Sequence, residues 1–133
     1  MILHKISIMT KDIHEMRLIL KDLLTNHENV FNIVSDTDEK FEVTGTKAVM
    51  QGKQKVSGHY FATLIPKPKD LRFYFFPAYT HAAEIKSIMD ESLAKFLKGK
   101  SCFHIKKVDE SVRENLKAII DKGVELYQKD GLI

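Results

Sequence analysis

Cysteine, glycine and proline are scarce in this chain, and each scarcity excludes a class of protein. The single cysteine, Cys102, cannot form an intrachain disulfide, which favours a reducing, cytoplasmic setting over a disulfide-rich secreted one. Six glycines and three prolines, without a low-complexity tract or a repeat of solenoid length, argue against a linker or a repeat array. No apolar run reaches membrane-spanning length, so no membrane partner is expected, and the N-terminal segment MILHKISIMTKD is too polar for a signal peptide.

What is present has the composition of an ordinary globular protein. The chain has 133 residues, of which 44% are hydrophobic and 29% are charged. This length is sufficient for one hydrophobic core and too short for two. A single domain over residues 1–133 is therefore predicted.

Basic residues are concentrated in the middle of the chain. Residues 47–107 carry 12 basic and 4 acidic side chains, whereas residues 1–46 carry 5 and 8, and residues 108–133 carry 4 and 6. One interpretation is an anion-attracting surface that binds a small anionic molecule or nucleic acid. The other is that lysines solvate a half-buried sheet and protect its edges from pairing.

The first forty residues predict a strand, a helix and a second strand. Loose alternation over residues 2–9 favours a strand, and Thr10 is the expected N-cap of the helix. The helix should end near Asn26, and residues 30–34 then suit a short strand. The apolar stripe of the helix comprises Ile13, Met16, Leu20, Leu23 and Leu24.

The middle of the chain has the pattern of antiparallel strands. Strands are predicted over residues 41–50, with a bulge or bend at Gly45, and over residues 56–65 and 71–76. The prolines of the segment 66–70 lack the backbone donors of a central strand, so this segment is predicted to be a hairpin loop.

The segment 56–65 alternates, with apolar residues on both sides, and is therefore predicted to be an interior strand. One face is expected to carry Tyr60, Ala62 and Leu64. The other is expected to carry His59, Phe61, Thr63 and Ile65.

The last third predicts two helices around a short strand. One helix follows Thr80 and ends before Gly99, where a left-handed cap is favourable. Its apolar positions are Ile85, Ile88, Met89, Leu93, Phe96 and Leu97. Residues 101–106 then form a strand, and a helix capped by Asp109 runs to Gly131. Together these elements predict an α+β fold, in which an antiparallel sheet of about five strands has three helices packed mainly on one face.

Two segments carry a resemblance to a known family. The succession GHYFATLIPKPKDLRFYFFPAYTH, followed by a helix and by FLKGKSCFHIKK, resembles the YdhG-like family, a domain-of-unknown-function family of small bacterial cytoplasmic proteins. The resemblance covers roughly the last eighty residues. It implies an α+β domain, and because some relatives are described as frataxin-like intracellular iron chaperones, it also implies iron handling.

Iron delivery of this type uses carboxylates on an acidic helix face. The first predicted helix offers Asp12, Glu15 and Asp22, interspersed with basic residues. Asp12 and Glu15 lie on one helical face, whereas Asp22 lies well apart. A solvated face of mixed charge is the alternative interpretation of the same residues.

Cys102 and His104 form a second candidate metal site. Two residues apart on a strand, they point to the same face, and His59 could approach them from an adjacent strand. A thiolate and two imidazoles would suit zinc or iron. The alternatives are that Cys102 and His104 are packed structural residues, or that Cys102 is a nucleophile activated by a histidine.

Two further groups could bind an anion or a nucleic acid. Thr80 and His81 are expected at a helix start, whose free amides could bind phosphate or carboxylate, although Thr80 could equally be a simple cap. Tyr74 and Arg72 are the expected exposed members of an aromatic segment that could stack bases, whereas Phe73 is expected to be core. The sequence thus predicts a non-enzymatic binding or carrier protein, with iron as the candidate cargo and anion binding through residues 47–107 as the alternative. A homodimer is compatible with it.

Overall fold

The centre of the molecule is one antiparallel sheet of six strands. The structure is a computed structural model that describes residues 9–133, except the side chain of Glu28. Ten strands lie within these residues: β1 (Met9–Thr10), β2 (Phe31–Asp36), β3 (Phe41–Gly45), β4 (Val49–Gln51), β5 (Gln54–Val56), β6 (Tyr60–Pro66), β7 (Leu71–Phe75), β8 (Leu97–Lys98), β9 (Cys102–Ile105) and β10 (Val108–Asp109). The order in the large sheet is β2-β3-β6-β7-β9-β8, and β1-β10 and β4-β5 form separate two-stranded pairs.

Five α-helices connect or cover the strands within the described residues. They are α1 (Ile13–Thr25), α2 (Pro77–Thr80), α3 (Ala82–Ile88), α4 (Glu91–Ala94) and α5 (Glu110–Lys129), and a 3₁₀ turn (Glu28–Val30) precedes β2. Helix α1 packs against β6 and β7, and it also contacts α5. The close approach of α5 to the sheet depends on Gly123, which lies against the rings of Phe61 and Phe75.

The two faces of the sheet differ in character. Alternation along β7 directs Leu71, Phe73 and Phe75 toward the helices, where all three are fully buried. We call this the inner face. Arg72 and Tyr74 point the other way and are only half-buried, as alternation predicts. This open face faces away from α1 and α5.

The predicted α+β class and the antiparallel sheet are confirmed, but the numbers of elements differ. The sheet has six strands rather than about five, and five helices are present rather than three. Residues 41–50 split into β3 and β4 after Gly45. The predicted strand 56–65 starts only at Tyr60, because the segment before it forms the hairpin β4-β5. The predicted strand 2–9 lies outside the described residues except for Met9.

A bulge in β6 overturns the predicted faces of Tyr60 and Phe61. Val43 pairs with Ala62, but the next residue, Thr44, pairs with Tyr60, so that Phe61 is an extra residue. Phe61 therefore joins Ala62 on the inner face, where it is fully buried. Tyr60 lies on the open face instead, and its hydroxyl hydrogen-bonds to Thr63.

The helix predicted after Thr80 is broken into α3 and α4, and Leu97 belongs to strand β8. The break is held from α5 by Asn115, which is 7% exposed. Its Nδ2 donates to the carbonyl of Ile88 (2.8 Å), and its Oδ1 accepts from the amide of Asp90 (2.8 Å). Gly99, predicted as a helix cap, lies in the β8-β9 turn at φ 67°.

The helix starts were predicted with mixed success. Asp109 caps α5 by accepting from the amide of Val112, as predicted, and this hydrogen bond lowers the pKa of the Asp109 carboxyl. The N-cap of α1 is Asp12 rather than Thr10, because the Asp12 carboxylate accepts from the amide of Glu15.

Candidate functional site

The open face carries a polar cluster on the neighbouring strands β7 and β9. We call it the sheet-face cluster, and it comprises Asp70, Arg72, Tyr74, Cys102 and His104. Arg72 pairs with His104 and Tyr74 pairs with Cys102 in the strand register. Arg72 Nε donates to the buried Asp70 carboxylate at 2.6 Å, and His104 Nδ1 lies 3.9 Å from the other Asp70 oxygen. Four of the sequence-predicted site residues are thus brought together.

The Cys102 thiol is not activated by its surroundings. Burial raises its pKa, and the Tyr74 hydrogen bond and the Arg72 charge offset this effect only in part. A thiol of raised pKa is largely protonated at neutral pH and is a poor nucleophile. The raised pKa therefore does not favour the hypothesis that Cys102 is a catalytic nucleophile.

His59, the third predicted metal ligand, lies elsewhere. It precedes β6, which is separated from β9 by β7. Its ring packs against Phe76 and Tyr127, and its Nδ1 is 3.1 Å from the carbonyl oxygen of Tyr60. Burial is the main cause that lowers its pKa, so the neutral ring is favoured. The predicted approach of His59 to Cys102 and His104 is therefore not seen.

The candidate metal ligands are dispersed in the described part of the chain. Across residues 9–133, no three His, Cys, Asp or Glu side chains are grouped closely enough to hold a metal ion. On the candidate acidic ridge, Asp12 caps α1 and Glu15 accepts a hydrogen bond from the Thr10 hydroxyl. Asp22 is exposed near the end of α1.

The Thr80 and His81 corner differs from its prediction. Thr80 is the last residue of α2, and the N-cap of α3 is His81, whose side chain makes no capping hydrogen bond. His81 Nε2 lies 2.7 Å from a carboxylate oxygen of Asp130, and its Nδ1 lies 2.8 Å from the Thr80 hydroxyl. Because a carboxylate already pairs with His81, the corner does not favour a bound anion.

Basic side chains gather instead at one end of the sheet. The hairpin between β6 and β7 forms one side of a cavity of about 400 Å³. Its lining residues are Lys67, Pro68, Lys69, Asp70 and Arg72. The only carboxylate in this lining, Asp70, is paired with Arg72, so Lys67 and Lys69 set the charge.

A second basic cavity, of about 420 Å³, lies at the same end. Its lining residues are Lys11, Lys95, Phe96, Lys106 and Lys107. Strand pairing explains how distant residues meet here: Thr10 pairs with Val108, which places Lys11 beside Lys107. The amide of His104 donates to the carbonyl of Phe96, which brings Lys95 and Phe96 to the end of β9.

The two cavities belong to one basic surface. Leu71 pairs with Ile105, so the β6-β7 hairpin and the segment Lys106 to Lys107 lie at the same end of the neighbouring strands β7 and β9. We call this surface the basic rim, and it comprises Lys11, Lys67, Lys69, Arg72, Lys95, Lys106 and Lys107. Arg72 is paired with Asp70, and Lys107 lies 3.6 Å from Asp109. Between residues 9 and 133, no carboxylate lies within ion-pair distance of the other five lysines.

The basic rim differs from the region singled out in the sequence. Lys11 lies outside residues 47–107, and only the pairing of β1 with β10 places it there. Lys53 and Lys55 belong to the β4-β5 hairpin, which follows the opposite end of β3. For three other members of the basic rim, Lys67, Lys69 and Lys106, the sequence signal was their position just beyond strand ends.

The chain has no match among protein-family models, curated proteins or solved structures. The resemblance to the YdhG-like family therefore stays a prediction. Over residues 9–133, no helix combines the length and the apolar character needed to cross a bilayer.

Proposed function

We propose that this protein is a binding or carrier protein whose basic rim holds a ligand rich in phosphate groups. The observation that carries the proposal is the set of five lysines without a carboxylate partner among the described residues, gathered around two cavities at the same end of the sheet. Like charges placed close together repel, and Lys11, Lys95, Lys106 and Lys107 all line one cavity. A bound anion would remove that repulsion.

The side chains of the basic rim favour recognition of phosphate charge over recognition of bases. Lysine binds phosphate as a point charge, without the planar selectivity of a free arginine. Arg72 is already paired with Asp70, and Phe96 is only 7% exposed, so its ring offers little surface for stacking. The shared chemistry is therefore a run of phosphate groups, whose source is either a polyphosphate chain or a nucleic-acid backbone.

Binding should depend strongly on salt and on the lysines of the basic rim. For single-stranded oligothymidine, five phosphate contacts would give a slope of log K against log salt of about −3.5. The double variant Lys95→Gln, Lys106→Gln should lose about tenfold or more in affinity and reduce the slope by about 1.4. Fluorescence anisotropy over a salt series measures both quantities, and calorimetry with tripolyphosphate tests the other source.

The matched control is Lys53→Gln, Lys55→Gln, which removes the same charge away from the basic rim. Equal losses in the two double variants would show that net charge, rather than the basic rim, attracts the ligand. Retention of tripolyphosphate binding without oligothymidine binding would identify a polyphosphorylated small molecule. Absence of binding to both probes at low salt would overturn the proposal.

A cytoplasmic location is part of this proposal. Its support is the free thiol of Cys102, which is half-buried and has no second cysteine to pair with.

Iron handling is a second candidate, favoured by one observation on the open face. Cys102 and His104 point the same way from β9 and would supply two ligands to the ion. Anaerobic calorimetry with Fe(II) should give binding heat that is lost in the variant Cys102→Ala, His104→Ala. The exposed His14→Ala serves as the control. No heat, or heat unchanged in the double variant, would exclude this site.

A further inference from the structure

A separate cavity of about 280 Å³ lies at the other end of strand β9. Its lining residues are Ala78, Tyr79, Ala82, Lys86, Gly99 and Lys100. Gly99 and Lys100 belong to the turn between β8 and β9, which precedes Cys102, whereas the basic rim adjoins Ile105 at the end of the strand. We call it the Tyr79 pocket, and it is distinct from the basic rim.

Tyr79 carries the most exposed tyrosine ring of the chain. Tyr79 is 51% exposed, whereas Tyr60 and Tyr74 are half-buried and Tyr127 is fully buried. The ring is supported by Phe76, whose centroid is 5.6 Å away. An exposed ring held by a second ring is a ready stacking surface for a planar ligand.

The other lining residues allow a ligand to reach that ring. Ala78, Ala82 and Gly99 are small, and nothing lies within 4 Å of the position that a Gly99 Cβ would take. The cavity volume is close to the lower end of the range for small-molecule sites, about 300 Å³. The space beside the ring is therefore suited to one flat, compact ligand.

Charge in the Tyr79 pocket is positive. Lys86 and Lys100 are its only ionisable side chains besides Tyr79, and no carboxylate belongs to the lining. Lys100 Nζ lies 5.5 Å from the centroid of the Tyr79 ring, within cation–π distance. The ammonium group thus covers a face of the ring, and a ligand that stacks there would displace it and pair its anionic substituent with it.

We propose that the Tyr79 pocket binds a planar aromatic anion, with its ring stacked on Tyr79 and its negative group paired with Lys86 and Lys100. A mononucleotide or an aromatic carboxylate has this chemistry. The Tyr79 pocket would thus recognise an aromatic ring together with a negative charge, whereas the basic rim would recognise phosphate charge alone.

Three probes separate the contributions of ring and charge: adenosine 5′-monophosphate, adenosine and inorganic phosphate. Tyrosine emission is a convenient reporter, because the chain contains no tryptophan and Tyr79 is one of its four tyrosines. The monophosphate should quench that emission and shift the backbone amide resonances of Tyr79, Ala82, Gly99 and Lys100. Adenosine should bind about tenfold more weakly, and phosphate alone should leave these resonances unshifted.

Variants assign the effect to the pocket. Tyr79→Ala should weaken monophosphate binding about tenfold or more, whereas Tyr79→Phe keeps the ring and should bind like the parent protein. Lys100→Gln should reduce the preference for the monophosphate over adenosine. Lys95→Gln, Lys106→Gln in the basic rim should leave the monophosphate-induced shifts of the Tyr79 pocket resonances unchanged, so failure of one site is distinguishable from failure of the other.

Two results would overturn the proposal. The first is unchanged monophosphate affinity in Tyr79→Ala, measured by amide shifts rather than by emission. The second is a monophosphate-induced shift pattern confined to the basic rim. Equal affinity for adenosine and the monophosphate would also refute the anionic part of the assignment.

Discussion

A Gly58→Ala variant should unfold at a much lower urea concentration than the parent protein, with a loss of about 3 kcal/mol or more in the free energy of unfolding. A Cβ at residue 58 would lie 1.9 Å from the carbonyl oxygen of Gly45 and 2.7 Å from the Thr44 hydroxyl. Gly45 itself is held beside this segment by donating from its amide to the His59 carbonyl. Relief of the clash therefore requires β3 and β6 to separate locally.

The control for this experiment is Gly52→Ala, in the turn between β4 and β5. Gly52 has a φ of 62°, but no atom lies within 4 Å of its Cβ position. The left-handed conformation alone should cost about 1 kcal/mol. Urea denaturation followed by far-UV circular dichroism measures both variants, and a loss in Gly58→Ala no larger than in Gly52→Ala would contradict the steric argument.

The second large effect is expected from Asn115→Leu. Leucine keeps the approximate volume of the side chain but leaves the Ile88 carbonyl and the Asp90 amide without their hydrogen bonds. Both hydrogen bonds are part-buried, so each unsatisfied group should cost about 1 kcal/mol, at the lower end of the range for buried groups, and a total loss of about 2 kcal/mol in the free energy of unfolding is expected. The loss should be measured by urea denaturation.

Glu114→Leu tests whether the effect is specific to the helix break. Residue 114 is exposed on the same helix, so the leucine is added without removing a buried hydrogen bond. Its free energy of unfolding should stay within about 0.5 kcal/mol of the parent value. Protection of the Asp90 amide from hydrogen exchange should fall in Asn115→Leu alone. Equal stability of the two variants would mean that the break is held by other contacts.

The parts of the fold that local patterns determine could be predicted from the sequence. Helix α5 combines an apolar stripe with a carboxylate cap at Asp109, and both signals act within a few residues. Strand β7 alternates without interruption, so the buried side of Phe73 and the open side of Tyr74 followed directly.

Features that depend on a distant partner could not be predicted. The periodicity of the segment after Thr80 continues through the break between α3 and α4, because the stabilising side chain, Asn115, comes from another helix. The face of Phe61 depends on the registers of Val43 and Thr44 in the neighbouring strand, which no alternation within β6 reveals.

The candidate site was predicted only in part, because some of its features also depend on distant partners. The spacing of Cys102 and His104 was sufficient to place them on one face, but the position of His59 depends on the strand order. The excess of lysine between residues 47 and 107 was visible in the sequence. Its concentration at one end of the sheet, with the addition of Lys11, required the pairing of β1 with β10.

The basic rim is assembled from four separate segments of the chain. A ligand bound there would therefore affect the stability of the fold. Residue 11, the hairpin 67–72, residue 95 and residues 106–107 meet only in the native fold. A ligand that bridges them binds the native chain more tightly than the unfolded one, and saturation at a hundred times the dissociation constant would add about 2.7 kcal/mol to stability. The supply of ligand would therefore set how long the folded protein persists in a cell.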